Sequence, residues 1–315
     1  MTQKKQKLQP KRTSQKGSFN FPYLAVIGVC VISAFLAILS LLPLPENAPL
    51  PKKPVFEEPD ASRTPLIPSP AMPDSAPDCS VKKTPSIDTR PSVAIVIDDM
   101  GYDLELNQLL IELEARLSFA FLPHAPFSKK FAMLAAEKKK DILLHQPLEP
   151  ENGELDPGKG VLLTNMHAYR MREILQDNLM NIPGVKGVNG HMGSKFTKDK
   201  EAMEILLAAI KMSNMFYLDS YTSVDSVAEE VAKSLGVKTA RRNVFLDHTV
   251  SKEAISHELQ RLVRIARQNG HAIAIGHPHK ETYEILYREL PVIQKQVKII
   301  PISKLIEELQ ETSKK

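Results

Sequence analysis

From residue 91 onward the chain alternates short apolar runs with longer amphipathic stretches, and run after run ends in a residue that can ionise. Val93 to Ile97 leads into Asp98 and Asp99, Ile142 to Leu144 into His145, Met215 to Leu218 into Asp219, and Ala272 to Ile275 through Gly276 into His277. Such alternation specifies an α/β fold with a parallel sheet. In an α/β barrel the C-terminal ends of the strands converge on one mouth, so this pattern reads as the rim of an enzyme's active site.

The strands are expected at 93–97, 117–122, 142–145, 186–189, 215–219, 237–240, 244–247, 272–276 and 297–300. Helical spacing of apolar residues marks 104–115, 128–139, 168–180, 199–213, 224–235, 252–269 and 280–295. Seven or so βα units in this length suit a small, distorted or incomplete (β/α) barrel. A doubly wound open sheet is the other arrangement, since strand number alone does not show closure. Segment 146–167, with Pro147, Pro150, Gly153, Pro157, Gly158 and Gly160, breaks the rhythm and is expected to be a long substrate-facing loop.

The first 90 residues are of another kind. Residues 1–20 form a tail with Lys4, Lys5, Lys7, Lys11, Arg12 and Lys16 and no acidic residue. Residues 21–44 are uncharged and rich in Val, Ile, Leu and Ala, long enough to cross a hydrocarbon core of ~30 Å as one helix. The basic flank would remain in the cytoplasm. The expectation is a single-pass anchor in the cytoplasmic membrane with everything after it in the periplasm or on the outer face. A cleaved signal peptide shares the basic start, but its apolar region is shorter, roughly 7 to 15 residues. Residues 45–90 carry a proline every few positions, which suits a tether better than a packed core. Residues 91–315 are the folded domain.

The net charge of +4 includes the six basic residues of the tail, so the remainder is slightly acidic. That argues against a nucleic-acid partner, which needs a concentrated positive face. The two cysteines, Cys30 and Cys79, fall outside the folded domain and have no zinc-site spacing.

Several rim residues suit proton transfer or metal binding. Asp98 and Asp99 are adjacent carboxylates that would repel unless a cation or a shared proton offset them. His145 and Glu149 flank Pro147, and such a pair can face one metal. His191 lies between Gly190 and Gly193, where the backbone can approach a ligand closely. Asp247 and His248 also end an apolar run. Arg241 and Arg242 suit either an acidic substrate or a structural ion pair. His277 is the best proton-transfer candidate, because imidazole exchanges protons near neutrality.

The ordered set Ile97-Asp98-Asp99-Met100-Gly101, Ala120-Phe121-Leu122-Pro123, Leu144-His145-Gln146-Pro147-Leu148-Glu149-Pro150, Asn189-Gly190-His191-Met192-Gly193-Ser194, Phe216 to Ser220 and Ala274-Ile275-Gly276-His277-Pro278 resembles the divergent polysaccharide deacetylase family, distant relatives of the NodB-type carbohydrate esterases. The resemblance covers roughly 91–306 and implies a barrel of NodB type. It implies Asp98 as base, Asp99 as ligand of a divalent metal, zinc by expectation, and His277 as general acid. NodB-type enzymes complete the ligand set with two histidines at i and i+4, whereas here that spacing holds His145 and Glu149. Either Glu149 replaces the second histidine or His191 supplies it from the loop after the next strand. Asp219, Asn189 and Arg242 are the rim residues expected to hold substrate. The implied activity is hydrolysis of an acetyl group on a cell-envelope glycan. A glycan-binding protein without turnover, or a metallophosphoesterase, would share much of this rim.

Overall fold

The computed structural model describes residues 88–312. The basic tail (1–20), the expected membrane-spanning segment (21–44), both cysteines and all but the last three residues of the linker (45–90) lie outside the described residues. Among the described residues no helix is long and apolar enough to cross a membrane.

The strands are β1 (Ser92–Met100), β2 (Ser118–Phe121), β3 (Asp141–Leu148), β4 (Gly187–Met192), β5 (Phe216–Asp219), β6 (Thr239–Arg241), β7 (Val244–Phe245), β8 (His271–Gly276) and β9 (Lys298–Ile299). Between them run α1 (Leu104–Glu112), α2 (Ser128–Glu137), α3 (Ala168–Asn181), α4 (Lys200–Met212), α5 (Ala228–Leu235), α6 (Lys252–Asn269) and α7 (Lys280–Ile293), and α8 (Ile302–Thr312) follows β9. All pairings are parallel, in the order β6-β5-β4-β3-β2-β1-β8-β7, with β9 also on β1. β8 takes one edge of β1, so β9 and β2 divide the other edge between its N-terminal and C-terminal halves.

The two ends of this order, β6 and β7, are separated in sequence by only Arg242 and Asn243. Arg242 N–H donates to Asp219 O on β5 (3.1 Å), and the next amide, Asn243 N–H, donates to Ile273 O on β8 (2.9 Å). One stretch of chain thus changes partner from one edge of the sheet to the other within a single peptide. The sheet must therefore curl until its edges nearly meet, giving an incompletely closed barrel rather than a doubly wound open sheet.

Strand alternation then divides the side chains between two faces. Val93, Ile95, Ile97, Val188, Tyr217 and Val244 join the larger core cluster with the helices. Ala94, Val96, Ala120, Leu143, Phe216, Leu218, Ala240, Phe245, Ile273 and Ile275 fill the barrel's interior. Ile302, Leu305 and Ile306 of α8 pack into that inner cluster. Ser118 Oγ and Asp141 Oδ2, on the first residues of β2 and β3, accept the amide protons of Ile302 (3.0 Å) and Ser303 (2.9 Å). The last helix therefore closes the bottom of the barrel, and each of its fully buried side chains contributes ~1.5–3 kcal/mol. This helix is absent from the expected elements, although Ile302, Leu305, Ile306 and Leu309 have amphipathic spacing.

Most other elements fall where expected. The main departures are at the upper ends of the strands. β1 runs on through Asp98 and Asp99 to Met100, β3 through His145 to Leu148, and β4 through Asn189 to Met192. His191 is thus a strand residue and not a loop residue, and the loop expected from 146 begins after Leu148. The mutual pairing Gln146↔Gly190, Pro147↔His191 and Leu148↔Met192 explains this extension. Gly190 permits it: a Cβ there would lie 2.8 Å from Leu148 Cδ1. α5 begins four residues later than expected, because 220–227 is held as a loop by Asp219.

Candidate metal centre and proton relay at the barrel mouth

Inner-face alternation carries upward from the apolar core into the polar rim. Ala94 and Val96 continue to Asp98, Leu143 to His145, Ala240 to Arg242, Phe245 to Asp247, and Ile273 and Ile275 to His277. Asn189 and His191 share the inner face of β4. Asp99 would point outward by the same rule. Its φ of +54° and the register shift between Ile97 and Met100 turn it into the mouth instead. Gly101, at φ +125°, follows at once and allows Ser128 to close in; a Cβ there would lie 2.0 Å from Ser128 Oγ.

Asp99, His145 and His191 meet in a fully buried group. Asp99 Oδ1 lies 2.9 Å from His191 Nδ1 and 3.3 Å from His145 Nε2, and the two nitrogens are 3.2 Å apart. Neither approach to Asp99 Oδ1 has the angles of a hydrogen bond, and the oxygen remains without a donor, as does His191 Nε2. Buried polar atoms are ordinarily bonded; a carboxylate oxygen left without a donor, facing two imidazole nitrogens that meet each other, marks a cation site. Donors ~2.1 Å from a tetrahedral ion lie about 3.4 Å from one another, close to the spacings seen. Burial would raise the Asp99 pKa, but the neighbouring His191 and His145 outweigh it and hold the carboxylate well below its ordinary range.

Asn189 organises the donors from behind. Its Nδ2 donates to Asp98 Oδ1 (2.9 Å) and Oδ2 (2.8 Å), and its Oδ1 accepts from His145 Nδ1 (3.0 Å). That bond fixes the His145 tautomer and leaves Nε2 with its lone pair toward Asp99 and His191. Asp98 itself is buried, and burial raises its pKa against the opposing pull of His145 and His277. A carboxylate shifted this way is a better proton acceptor than one free in water.

Across the mouth, His277 is held as a proton donor. Its Nδ1 donates to Asp247 Oδ1 (2.9 Å) and its backbone N–H to Asp247 Oδ2 (2.6 Å), which also accepts from Thr282 Oγ1 (2.8 Å). The ring stacks on Phe245 at 5.0 Å. Burial alone would lower the His277 pKa; Asp247, with Asp99 and Asp98 behind it, reverses this and raises it. Asp247 is correspondingly lowered, by His277 and the hydrogen bonds, in spite of its own burial.

Other expected site residues lie elsewhere. Glu149 is not brought to the cation group. Its Oε2 accepts from Thr164 N–H and Oγ1 (2.7 Å each) and its Oε1 from Lys195 (2.6 Å). These bonds staple the long loop to the segment after β4, aided by Gln146 and Asn178, which both donate to Gly160 O. Asp219 points to the outer face with Tyr217. Its oxygens accept from Tyr221 N–H (2.9 Å) and Ser226 Oγ (3.1 Å), so it shapes the loop and does not face the mouth. Asn189 is a support for Asp98 and His145. Arg241 is exposed, lies over the Tyr221 ring and pairs distantly with Glu229 (3.7 Å), while Arg242 has no carboxylate partner among the described residues. Asp247 was legible as a strand end, but its pairing with His277 was not. The available signal was its shared face with Phe245, two residues earlier.

The sequence profile of the family described as divergent polysaccharide deacetylase matches residues 95–306. An uncharacterized protein of Escherichia coli (strain K12), YibQ, is 32% identical over 218 residues, 69% of this chain and 68% of that protein. An uncharacterized protein of Haemophilus influenzae is 32% identical over 219 residues, 68% of this chain and 76% of its own. Among solved structures, the uncharacterized protein ATU2773 from Agrobacterium tumefaciens C58 superposes with a TM-score of 0.66 at 26% identity, covering 69% of this chain and 89% of that one.

Proposed function

The chain belongs to the divergent polysaccharide deacetylase family, and from that premise we propose that it is a metal-dependent hydrolase removing acetyl groups from a cell-envelope glycan. The observation that carries this reading is the convergence of a buried Asp99 Oδ1, which has no donor, on two imidazole nitrogens that are bonded to each other, beside a buried carboxylate and across from a histidine with one nitrogen fixed. Asp99 Oδ1, His145 Nε2 and His191 Nδ1 would hold the cation. Two imidazoles and a carboxylate form a donor set that zinc takes in hydrolytic sites. When bound, the ion supplies Lewis-acid polarisation of the acetyl carbonyl and of the attacking water.

The chain's own residues do the rest. Asp98, its oxygens steadied by Asn189, accepts the water's proton. His277 donates from Nε2 to the departing amine or alcohol, because Nδ1 is committed to Asp247. The resulting imidazole is kept in place by the same Asp247 bond. The basic tail and apolar segment of the sequence support anchorage in the cytoplasmic membrane with this domain on the outer side.

The test is metal analysis of the purified full chain, followed by acetate release from chitooligosaccharide and peptidoglycan. One bound divalent ion and acetate release abolished by Asp98→Asn are expected. A metal-free protein that binds glycan without turnover, or one that releases phosphate instead, overturns the reading.

A further inference from the structure

We propose that Arg242 is a receptor for a singly charged oxyanion, so that the glycan accepted here carries an acidic group on or beside the acetylated sugar. This rests on the deacetylase reading and adds the substrate class. Ala240 lies on the inner face, and Arg242, two residues on, follows it toward the mouth. The side edge of its guanidinium is spent on two successive carbonyls, Nε on Ser220 O (2.7 Å) and Nη2 on Tyr221 O (3.0 Å). Nη1 has no acceptor among the described residues. The neighbouring carboxylates are already engaged: Asp219 by Tyr221 and Ser226, Asp98 by Asn189.

A half-buried cation without an anion is costly, and proteins ordinarily pair such charges. Burial lowers the Arg242 pKa to about 10, which still leaves it charged at neutral pH. The guanidinium also lies 4.7 Å over the Phe245 ring, on which His277 stacks. An anion taken up at Nη1 would thus sit one aromatic ring from the proposed proton donor, on the leaving-group side. The N–H groups of Nη1, together with the second N–H of Nη2, leave the end of a planar fork that suits a carboxylate or phosphate oxygen pair.

The experiment uses the full chain in detergent, loaded with zinc. Acetate release and, separately, equilibrium binding are measured for an acetylated oligosaccharide bearing a carboxylate and for its carboxyl-reduced counterpart. A third, phosphodiester-bearing glycan distinguishes the two sources of oxyanion. Wild type should prefer an anionic glycan by about 10-fold or more, from a charge-assisted bond, with the gain chiefly in KM. Added salt should erode the preference, Arg242→Gln should bring the ratio near one, and Arg242→Lys should retain part of it. Equal use of charged and reduced glycans by wild type, or an equal loss on both in Arg242→Gln, overturns the proposal. Acetate release without charge preference would leave the deacetylase reading standing and this one fallen. Charge-selective binding lost in Arg242→Gln, with no acetate released, would do the reverse.

Discussion

Two groups of histidines and carboxylates share this barrel mouth, and each is compact enough to suggest a cation: Asp99 with His145 and His191, and Asp247 with His277 and His279. Their hydrogen bonding separates them. Both oxygens of Asp247 are taken up by His277 and Thr282, whereas Asp99 Oδ1 and His191 Nε2 have no bonded partner. A saturated pair fixes a tautomer and tunes a proton; a trio whose carboxylate oxygen has no donor, and whose two facing nitrogens meet each other, holds lone pairs for something else. Clustering alone therefore does not define a metal site, and the state of satisfaction does.

The largest effect that could break this contrast is loss of the ion. Asp99→Ala should abolish stoichiometric zinc and lower acetate release by ~10³-fold or more, the loss of several kcal/mol of Lewis-acid stabilisation. Asp247→Ala should keep the metal; if metal analysis shows it gone, the two groups are not distinct. On the other side, His277→Ala should retain zinc and lose ~10²–10⁴-fold in kcat. Asp247→Asn gives the sign. The native pKa of His277 is raised, so the required proton persists to higher pH and the rate falls as pH climbs through that value. Without the Asp247 charge, burial prevails, the pKa drops, and the alkaline limb of kcat/KM should move to lower pH. An unmoved limb would mean that His277 is not the acid.

Smaller effects sharpen the boundary of the metal group. Asn189→Ala, which removes the bond fixing His145, should weaken zinc binding by ~10–100-fold in a chelator competition. Glu149→Gln should keep full zinc stoichiometry and cost ~1 kcal/mol, because its ion pair with Lys195 is partly exposed. Thermal melting should show a fall of about 2–4 °C. Loss of zinc in that variant would return Glu149 to the ligand set.

The i+4 position shows what a linear reading could and could not resolve. Glu149 stands at the spacing where a second histidine ligand was expected, but the strand continues only to Leu148, and Glu149 N–H bonds to Leu162 O as the chain turns into the long loop. Its side chain leaves with the loop. His191 could not be ranked above it from sequence, because the distance between residues 145 and 191 is a matter of strand register. Asn189 pairs across from His145, which places His191 one inner-face step higher on the neighbouring strand. Asp219 and Arg242 illustrate the same point. Asp219 ends β5 and Arg242 directly follows β6, yet one faces outward and the other inward, a difference that alternation from the apolar residues beneath them would have predicted.

Sequence alone determined the alternation of strands and helices, the polar rim and the chemical character of its residues, because hydrophobic period and residue type are local properties. Tertiary structure decided that the edges meet through Arg242 and Asn243, that α8 closes the bottom, that Asp99 turns inward, and that His191 rather than Glu149 joins His145. Those outcomes depend on register, curl and a left-handed backbone angle, which arise from contacts between residues far apart in the chain.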